Sequence, residues 1–310
     1  GLLLILPNLL WQFENDFPVF AHLKELAETQ LVNVSRLNFL KAQLLFFTGS
    51  VFTIAAGLIA LLIYRPFQKF RFLFWSMLFT QIIFIGLKAK DYYAIGLYPI
   101  YLALGSAYLG HLLSTRRLKY LRAFALAVPI LSFIPLYRFA FPNKSPEYII
   151  QNPKRYQDTG QLRWEDGKTH DLPQDYADML GWKELARKTD SLYALVPDPE
   201  QTLILCDNYG QAGAINYYSK KGIRAVSFNA DYINWFDLKR PHYHFIRIKE
   251  YEEGEHEIEE TSPYFNTSIL ADSITNQYAR EYRTRIYVFT GAKVDINKLI
   301  SQEIESLKKR

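Results

Sequence analysis

Cysteine is nearly absent from this chain, and this scarcity excludes several kinds of site. The one cysteine, Cys206, excludes an intramolecular disulfide and a cysteine-rich metal site. It ends the apolar run Thr202–Cys206, a position that favours a small buried hydrophobic side chain. Catalytic signatures are missing too: there is no G-x-S-x-G, no H-E-x-x-H and no Walker A motif, and the histidines are too scattered for a triad. We therefore predict no cofactor, and the residues indicate no particular metal ion.

Acidic residues are scarce in the first half of the chain. Counted from the sequence, residues 1–141 contain 13 Lys and Arg against 5 Asp and Glu, a net charge of +8. Residues 142–310 contain the remaining 23 and 26, a net charge of −3. The positive charge of the first half is mostly confined to short loops between apolar runs, which indicates a lipid bilayer as partner. A nucleic-acid-binding protein would spread Lys and Arg over one polar face, so no nucleic-acid partner is predicted.

Long apolar runs predict a membrane α-helical bundle of about four full spans, followed by a small extracytoplasmic α/β domain. The clearest run, 42–64, has no charge and would reach roughly 35 Å as a helix, longer than a hydrocarbon core of about 30 Å. The apolar start at Gly1 is expected to be a truncated first helix, the tail of a longer protein. The predicted spans are Ala42–Tyr64, Phe72–Leu87, Tyr92–Thr115 and Ala123–Phe141. The predicted domains are 1–141 in the membrane, a linker with little regular structure at 142–180 and a soluble domain at 181–310.

Basic turns at 65–71 and 116–122 predict the orientation. They hold three and four positive charges, and such clusters favour the cytoplasmic side. The turn at 88–93 and the C-terminal domain should then lie on the opposite side. In that domain, strands are predicted at Thr202–Asp207, Ala225–Asn229, His244–Lys249 and Arg285–Thr290. Their alternation with helix-like segments predicts a partly parallel sheet.

The turn between the second and third predicted spans combines two lysines and two tyrosines: Lys88, Lys90, Tyr92 and Tyr93. One interpretation is a helix end anchored at the bilayer surface by long basic and aromatic side chains. The other is a binding site for a lipid phosphate, because lysines neutralise a phosphate and tyrosine hydroxyls donate hydrogen bonds to it. The residues alone leave both interpretations open.

Two further segments carry weaker signals. The glycine-rich stretch Asn208–Ala214 follows a predicted strand, but it is not G-x-G-x-x-G, so Asp231 beyond the next strand is weak evidence for ribose binding. A tight strand-to-helix turn is the favoured interpretation. The acidic run 250–260 includes His256 as its one histidine, which favours a solvated surface over a metal site.

Several short stretches together resemble a known family. These are Pro7–Gln12, Phe17–Pro18, Gln43–Leu44, Lys90–Tyr93 with Tyr98–Pro99, and Asn208–Ala214. Their order around the apolar runs is similar to that in bacterial glycosyltransferase family 39 proteins, which include enzymes like protein O-mannosyltransferases and aminoarabinose transferases. The resemblance covers the C-terminal part of such an enzyme.

The resemblance implies an inner-membrane enzyme that transfers a sugar from a polyprenyl-phosphate donor to an acceptor hydroxyl, with inversion at the anomeric carbon. It implies that Lys88, Lys90, Tyr92 and Tyr93 bind the donor phosphate, and that the catalytic carboxylate lies upstream of Gly1. The alternative hypothesis is a non-catalytic membrane transporter or sensor with an external α/β ligand-binding domain. An acidic external loop before Gly1 would favour the enzyme.

Overall fold

The computed structural model describes residues 2–15, 17–29, 31–114, 118–141, 143–251 and 256–308, which fold into two compact units. The helical unit comprises His22–Ser145 and Glu165–Lys168. The α/β unit comprises Gly1–Ala21, Pro146–Trp164 and Thr169–Arg310. This division differs from the predicted domains, because the first 21 residues and most of the predicted linker belong to the α/β unit.

Seven helices occupy the described part of the chain before residue 142. They are α1 Leu2–Glu14, α2 Pro18–Thr29, α3 Arg36–Phe46, α4 Val51–Ile63, α5 Arg71–Gly86, α6 Tyr98–Leu112 and α7 Lys119–Ala140. Short 3-10 turns at Arg65–Phe70 and Asp91–Leu97 precede α5 and α6. The first arginines of the predicted basic turn at 116–122 lie outside the described residues.

The structure corrects the predicted number of membrane spans. Within the described residues, two helical segments are long and apolar enough to cross a membrane, Arg65–Gly86 and Tyr120–Tyr137. A third is possible if α3 and α4, which meet at 99°, together form one broken span. The predicted span Tyr92–Thr115 falls short because its first turn is a 3-10 helix, which leaves α6 with 15 residues.

The bend between α3 and α4 explains why the uncharged run 42–64 is not one straight helix. The hydroxyl of Thr48 donates to the carbonyl of Leu45 at 2.9 Å, a local bond that competes with regular helix geometry. At the next residue, an added Cβ on Gly49 would lie 2.6 Å from Cα of Pro129 in α7. A glycine that lets another backbone approach, beside a back-bonding threonine, is a recognised place for a helix to break.

Small residues join α4 to α6 in the helical unit. A Cβ added to Gly57 would collide with the carbonyl oxygen of Tyr101, and one added to Gly105 would collide with that of Thr53. The two backbones therefore approach too closely for any side chain at these positions. Such contacts are typical of helix pairs in membranes, where packing rather than burial from water drives association.

The α/β unit is built on a five-stranded mixed sheet with the order β2-β1-β3-β5-β4. The strands are β1 Thr202–Cys206, β2 Ala225–Ser227, β3 His244–Lys249, β4 Phe265–Ser273 and β5 Arg285–Ala292. β1 is parallel to both β2 and β3, whereas β5 is antiparallel to β3 and β4. The predicted partly parallel sheet is therefore present, with β4 as a strand that the prediction omitted.

Both faces of the sheet are covered. The remaining helices are α8 Pro146–Gln151, α9 Pro153–Gln157, α10 Gln174–Ala177, α11 Trp182–Tyr193, α12 Tyr209–Tyr218, α13 Glu257–Thr261 and α14 Ile296–Lys308. Along β1, Ile204 and Cys206 join the core cluster that includes Leu185 of α11 and Ile215 of α12. Leu203 and Leu205 point to the opposite core cluster, which includes Ile300 of α14. Burial on both faces explains the unbroken apolar sequence of β1.

The predicted linker at 142–180 has more structure than expected. Three of the helices, α8, α9 and α10, fall in it, and Ile149, Tyr156, Leu162 and Leu172 form a small buried cluster. These side chains account for order in a stretch whose prolines and polar residues alone suggest an extended chain.

A buried lysine ties α11 to the sheet of the α/β unit. Lys188 donates to Asp272 Oδ1 at 2.7 Å and to the carbonyl of Ser273 at 2.6 Å, and its Nζ lies 3.2 Å from Glu184 Oε1. The three N–H groups of this ammonium thus face three acceptors.

Candidate functional site

The predicted site lies in the helical unit, on the turn that connects α5 to α6. After α5 ends at Gly86, Lys88 adopts a left-handed conformation with φ 53°, which a residue with a Cβ rarely does. Lys90 is extended, with φ −62° and ψ 143°, and the 3-10 turn begins at Asp91. The reversal brings the four predicted residues to one end of α5.

Three polar side chains fix the backbone of this turn. Arg36 Nε donates to the carbonyl of Ile85 at 3.0 Å and so caps the end of α5. Gln43 Nε2 donates to the carbonyl of Asp91 at 2.9 Å, and the carboxylate of Asp91 accepts the N–H of Tyr92 at 2.8 Å. The turn is held by side chains from α3 as well as by its own residues.

A buried polar chain supports Gln43 from behind. The hydroxyl of Tyr98 donates to Gln43 Oε1 at 3.1 Å, and Gln81 Nε2 donates to the Tyr98 hydroxyl at 3.2 Å. Gln43 and Tyr98 are 7% and 5% exposed, so this chain lies inside the unit. These hydrogen bonds link side chains of α3, α5 and α6, although Oε1 of Gln81 is buried without a hydrogen-bond partner among the described residues.

Lys90 forms the principal ion pair of the turn. Its Nζ lies 2.7 Å from Oε1 of Glu165, and the two side chains are 12% and 37% exposed. Asn33 Nδ2 donates to the carbonyl of Glu165 at 3.0 Å, which positions that residue from its backbone side. Burial alone would lower the pKa of Lys90, but the hydrogen bond and charge of Glu165 outweigh it and raise the pKa, so the ammonium stays charged.

The two tyrosines present aromatic and hydroxyl surface next to Lys90. Tyr92 and Tyr93 are 48% and 45% exposed, and their rings meet edge to face with centroids 5.0 Å apart. Lys90 Nζ lies 5.9 Å from the ring centroid of Tyr92, within cation–π range. The side chain of Lys88 is half-buried, and among the described residues it forms no ion pair or hydrogen bond.

Glu165 is the residue that sequence reasoning missed. It lies 75 positions from Lys90 in the chain, inside the segment predicted to be an irregular linker. No local pattern around Trp164-Glu165-Asp166-Gly167 indicates such a contact. The turn is therefore a cluster of two lysines, two tyrosines and one opposing carboxylate.

The glycine-rich stretch of the α/β unit has a structural role. The side chain of Asn208 caps α12 by accepting the N–H of Gln211 at 2.9 Å, which occupies a donor that a phosphate would need. Asp231 is exposed beyond β2. The favoured interpretation, a tight strand-to-helix turn, fits this geometry.

The carboxyl ends of β1 and β3 carry a compact charge cluster. Asp207 Oδ1 lies 2.6 Å from Arg247 Nη2 and 3.0 Å from Lys249 Nζ, and Oδ2 accepts the N–H of Glu250 at 2.8 Å. Arg247 Nε also lies 3.8 Å from Glu257 Oε2, so two cations face two carboxylates. The cluster lies where the strand order reverses, a usual place for ligands in α/β sheets. Nearby, a cleft of about 410 Å³ is bordered by Leu205, Phe245 and α14.

The acidic run at 250–260 is described in part, because residues 252–255 lie outside the described residues. His256 Nδ1 is 3.3 Å from Glu259 Oε2, and both side chains are largely exposed. Within the described part of the chain, no three His, Cys, Asp or Glu side chains are grouped as metal ligands.

Comparisons with protein-family models, with curated proteins and with solved structures found no match to this chain.

Proposed function

We propose that the chain is the C-terminal part of an integral membrane glycosyltransferase, in which Lys88, Lys90, Tyr92 and Tyr93 bind the phosphate of a polyprenyl-phosphate sugar donor. The observation that carries the proposal is the position of Lys90. A charged ammonium, beside two half-exposed phenols, lies just beyond the end of a helix that is long and apolar enough to cross a membrane. The end of such a helix lies at the depth of lipid headgroups.

The chemistry of the turn suits a phosphate leaving group. An oxygen of the acceptor hydroxyl forms a bond to the anomeric carbon while the bond from that carbon to the phosphate oxygen breaks. The phosphate keeps the electron pair, and a base takes the hydroxyl proton. Negative charge grows on the phosphate in the transition state, where fixed ammonium and phenol groups stabilise it. The base is assigned to no residue of this chain.

The proposed location is a bacterial cytoplasmic membrane, with the turn and the α/β unit on the extracytoplasmic side. Supporting this, Arg65, Lys69 and Arg71 lie at the opposite end of α5 from Lys88 and Lys90, and three cations outweigh two. The partners would be a polyprenyl-phosphate-linked sugar and the bilayer.

Binding of a lipid phosphate tests the proposal directly. The full chain, in nanodiscs of a zwitterionic phospholipid, is titrated with a polyprenyl monophosphate. We expect Lys90→Ala and Tyr93→Phe to weaken binding by about tenfold or more for the lysine and about threefold for the hydroxyl. Lys69→Ala, at the other end of α5, is the matched control and should change little. Equal affinity of wild type and all three variants would overturn the proposal.

A ligand-binding transporter or sensor is the second candidate, and the 410 Å³ cleft against β1 and β3 favours it. That function predicts saturable binding of a water-soluble ligand to the α/β unit. A cleft-blocking Leu299→Trp substitution, at an exposed side chain of α14 that borders the cleft, would abolish such binding and leave lipid-phosphate affinity unchanged. Sugar transfer to an acceptor by the full-length protein would decide for the enzyme.

A further inference from the structure

The charges on and against the turn nearly balance. Among the described residues, its cations are Arg36, Lys88 and Lys90, and its carboxylates are Asp91 and Glu165. One positive charge remains when these groups are ionised. A headgroup with a single negative charge would leave the turn neutral, whereas a diphosphate would leave it strongly negative.

Glu165 is the member of this set that would compete directly with a ligand for the ammonium of Lys90. Its carboxylate oxygen already accepts a hydrogen bond from the ammonium of Lys90, at the position where a phosphate oxygen would bind the same group. Asp91 differs, because its carboxylate accepts the N–H of Tyr92 and serves the turn itself. The side chain of Glu165 is 37% exposed, so a ligand oxygen can reach the pair from solvent.

We infer that Glu165 is a specificity-determining residue: it shares Lys90 with the lipid phosphate and so makes the turn favour a singly charged phosphodiester over a diphosphate. This inference rests on the proposed function. The ammonium of Lys90 has three donors, so it can hold Glu165 and one phosphate oxygen together. A second phosphate would place more negative charge near Glu165, and the repulsion grows with the charge of the ligand.

The segment that carries Glu165 supplies its own control. Asp166 bears the same charge one residue later, is exposed, and accepts the N–H of Lys168 at 2.8 Å through its side chain. A general effect of charge on this segment would follow from either substitution. An effect through Lys90 would follow from Glu165→Gln and not from Asp166→Asn.

The experiment compares the two variants with wild type in nanodiscs, using a monophosphate-linked polyprenyl sugar and a polyprenyl diphosphate as probes. We expect Glu165→Gln to tighten binding of the diphosphate by about three- to tenfold and of the phosphodiester by less than threefold. Asp166→Asn should stay within about twofold of wild type. Weaker binding by Glu165→Gln, or an equal gain for both probes, would overturn the inference.

Labelling with an amine-reactive acylating reagent reports on the ion pair of Lys90 and Glu165 in the absence of a lipid-phosphate probe. Glu165→Gln should increase acylation of Lys90 relative to Lys88, because the lysine loses the partner that keeps it protonated. If Lys90→Ala and Tyr93→Phe weaken lipid binding while Glu165→Gln changes neither binding nor labelling, only the role of Glu165 falls. If wild type and Lys90→Ala bind each probe with equal affinity, or if neither protein binds a probe, both the proposed function and the role of Glu165 are overturned.

Discussion

Two lysines, one in each unit, have nearly equal burial and different surroundings. The side chains of Lys188 and Lys90 are 10% and 12% exposed, and each has a carboxylate oxygen 2.7 Å from Nζ. Lys188 also faces Glu184 and the carbonyl of Ser273, so its three donors have protein partners. Lys90 pairs with one half-exposed carboxylate beside two exposed phenols. Burial and one short ion pair are therefore common to both lysines, and the two differ in the number of acceptors that Nζ faces.

The two units also differ in how their elements meet. In the α/β unit, aliphatic side chains such as Ile204 and Ile246 fill the space between helices and sheet. In the helical unit, the backbones of α4 and α6 touch at Gly57 and Gly105. The helical unit should be more sensitive to an added methyl group than to a removed one.

Gly105→Ala is expected to have the largest effect, because its methyl group would overlap the carbonyl of Thr53 in α4. Such overpacking costs about 3 kcal/mol of unfolding free energy. Gly110→Ala is the matched control on the same helix, since its Cβ would meet nothing within 4 Å, and replacing a helical glycine by alanine stabilises by about 0.5–1 kcal/mol. Thermal unfolding in detergent measures both. Equal melting temperatures would show that α4 and α6 can separate without cost.

The second-largest effect is expected for Lys188→Met, which should lower the free energy of unfolding by about 2–3 kcal/mol. The substitution leaves Glu184 and Asp272 close together without their cation. Hydrogen exchange of the amides of α11 in the full chain measures this local loss. Arg187→Met removes a charge from the exposed side of the same helix and should change exchange little. Similar exchange in the two variants would mean that the network does not stabilise the unit.

Lys90→Met should lower the free energy of unfolding by less, about 0.5–1 kcal/mol. The carboxylate of Glu165, which pairs with Lys90, is half-exposed and can be solvated by water when the lysine is removed. Amide exchange across residues 87–93 is the measurement, with Lys88→Met as control. A loss as large as that for Lys188→Met would assign Lys90 to the structure and weaken its role in binding.

The smallest expected effect is a loss of stability around Glu184 at acidic pH. Burial alone would raise the pKa of Glu184, but hydrogen bonds from Thr275, Lys188 and Asn276 outweigh it and lower the pKa from its ordinary value. A carboxyl group whose pKa is lowered by folding adds stability above its unfolded pKa, and this stability is lost as the pH falls through the folded pKa. Amide exchange of α11 should therefore accelerate below about pH 4.5. Glu184→Gln should be less stable at neutral pH and should lack this acid-induced loss.

The strands of the α/β unit were predictable where they are buried on both faces. β1 is a short run of Leu and Ile, and β3 contains Phe245, Ile246 and Ile248. The spacing of Ile296, Ile300 and Ile304 is typical of a helix and marks α14. β4 escaped prediction because it is an edge strand whose Asn266, Thr267 and Ser268 resemble a loop.

The helical unit was less predictable from composition. The run 42–64 contains no charge, so hydropathy does not show the break; the cue is the triplet Thr48-Gly49-Ser50, which permits it. The lysines and tyrosines of the turn were visible because they all lie within the six residues 88–93. Glu165 was not, because an ion pair across 75 residues leaves no periodic trace in the sequence.

The burial of Cys206 has a practical consequence. Its side chain is 1% exposed beneath α12, and burial raises the pKa of its thiol well above the ordinary value, so the reactive thiolate hardly forms. Cys206 should therefore not react with maleimides in the folded chain. A cysteine placed on Tyr93 or on any loop would be the sole target of a membrane-impermeant reagent, and the sidedness of each segment can be mapped one residue at a time in the otherwise unaltered chain.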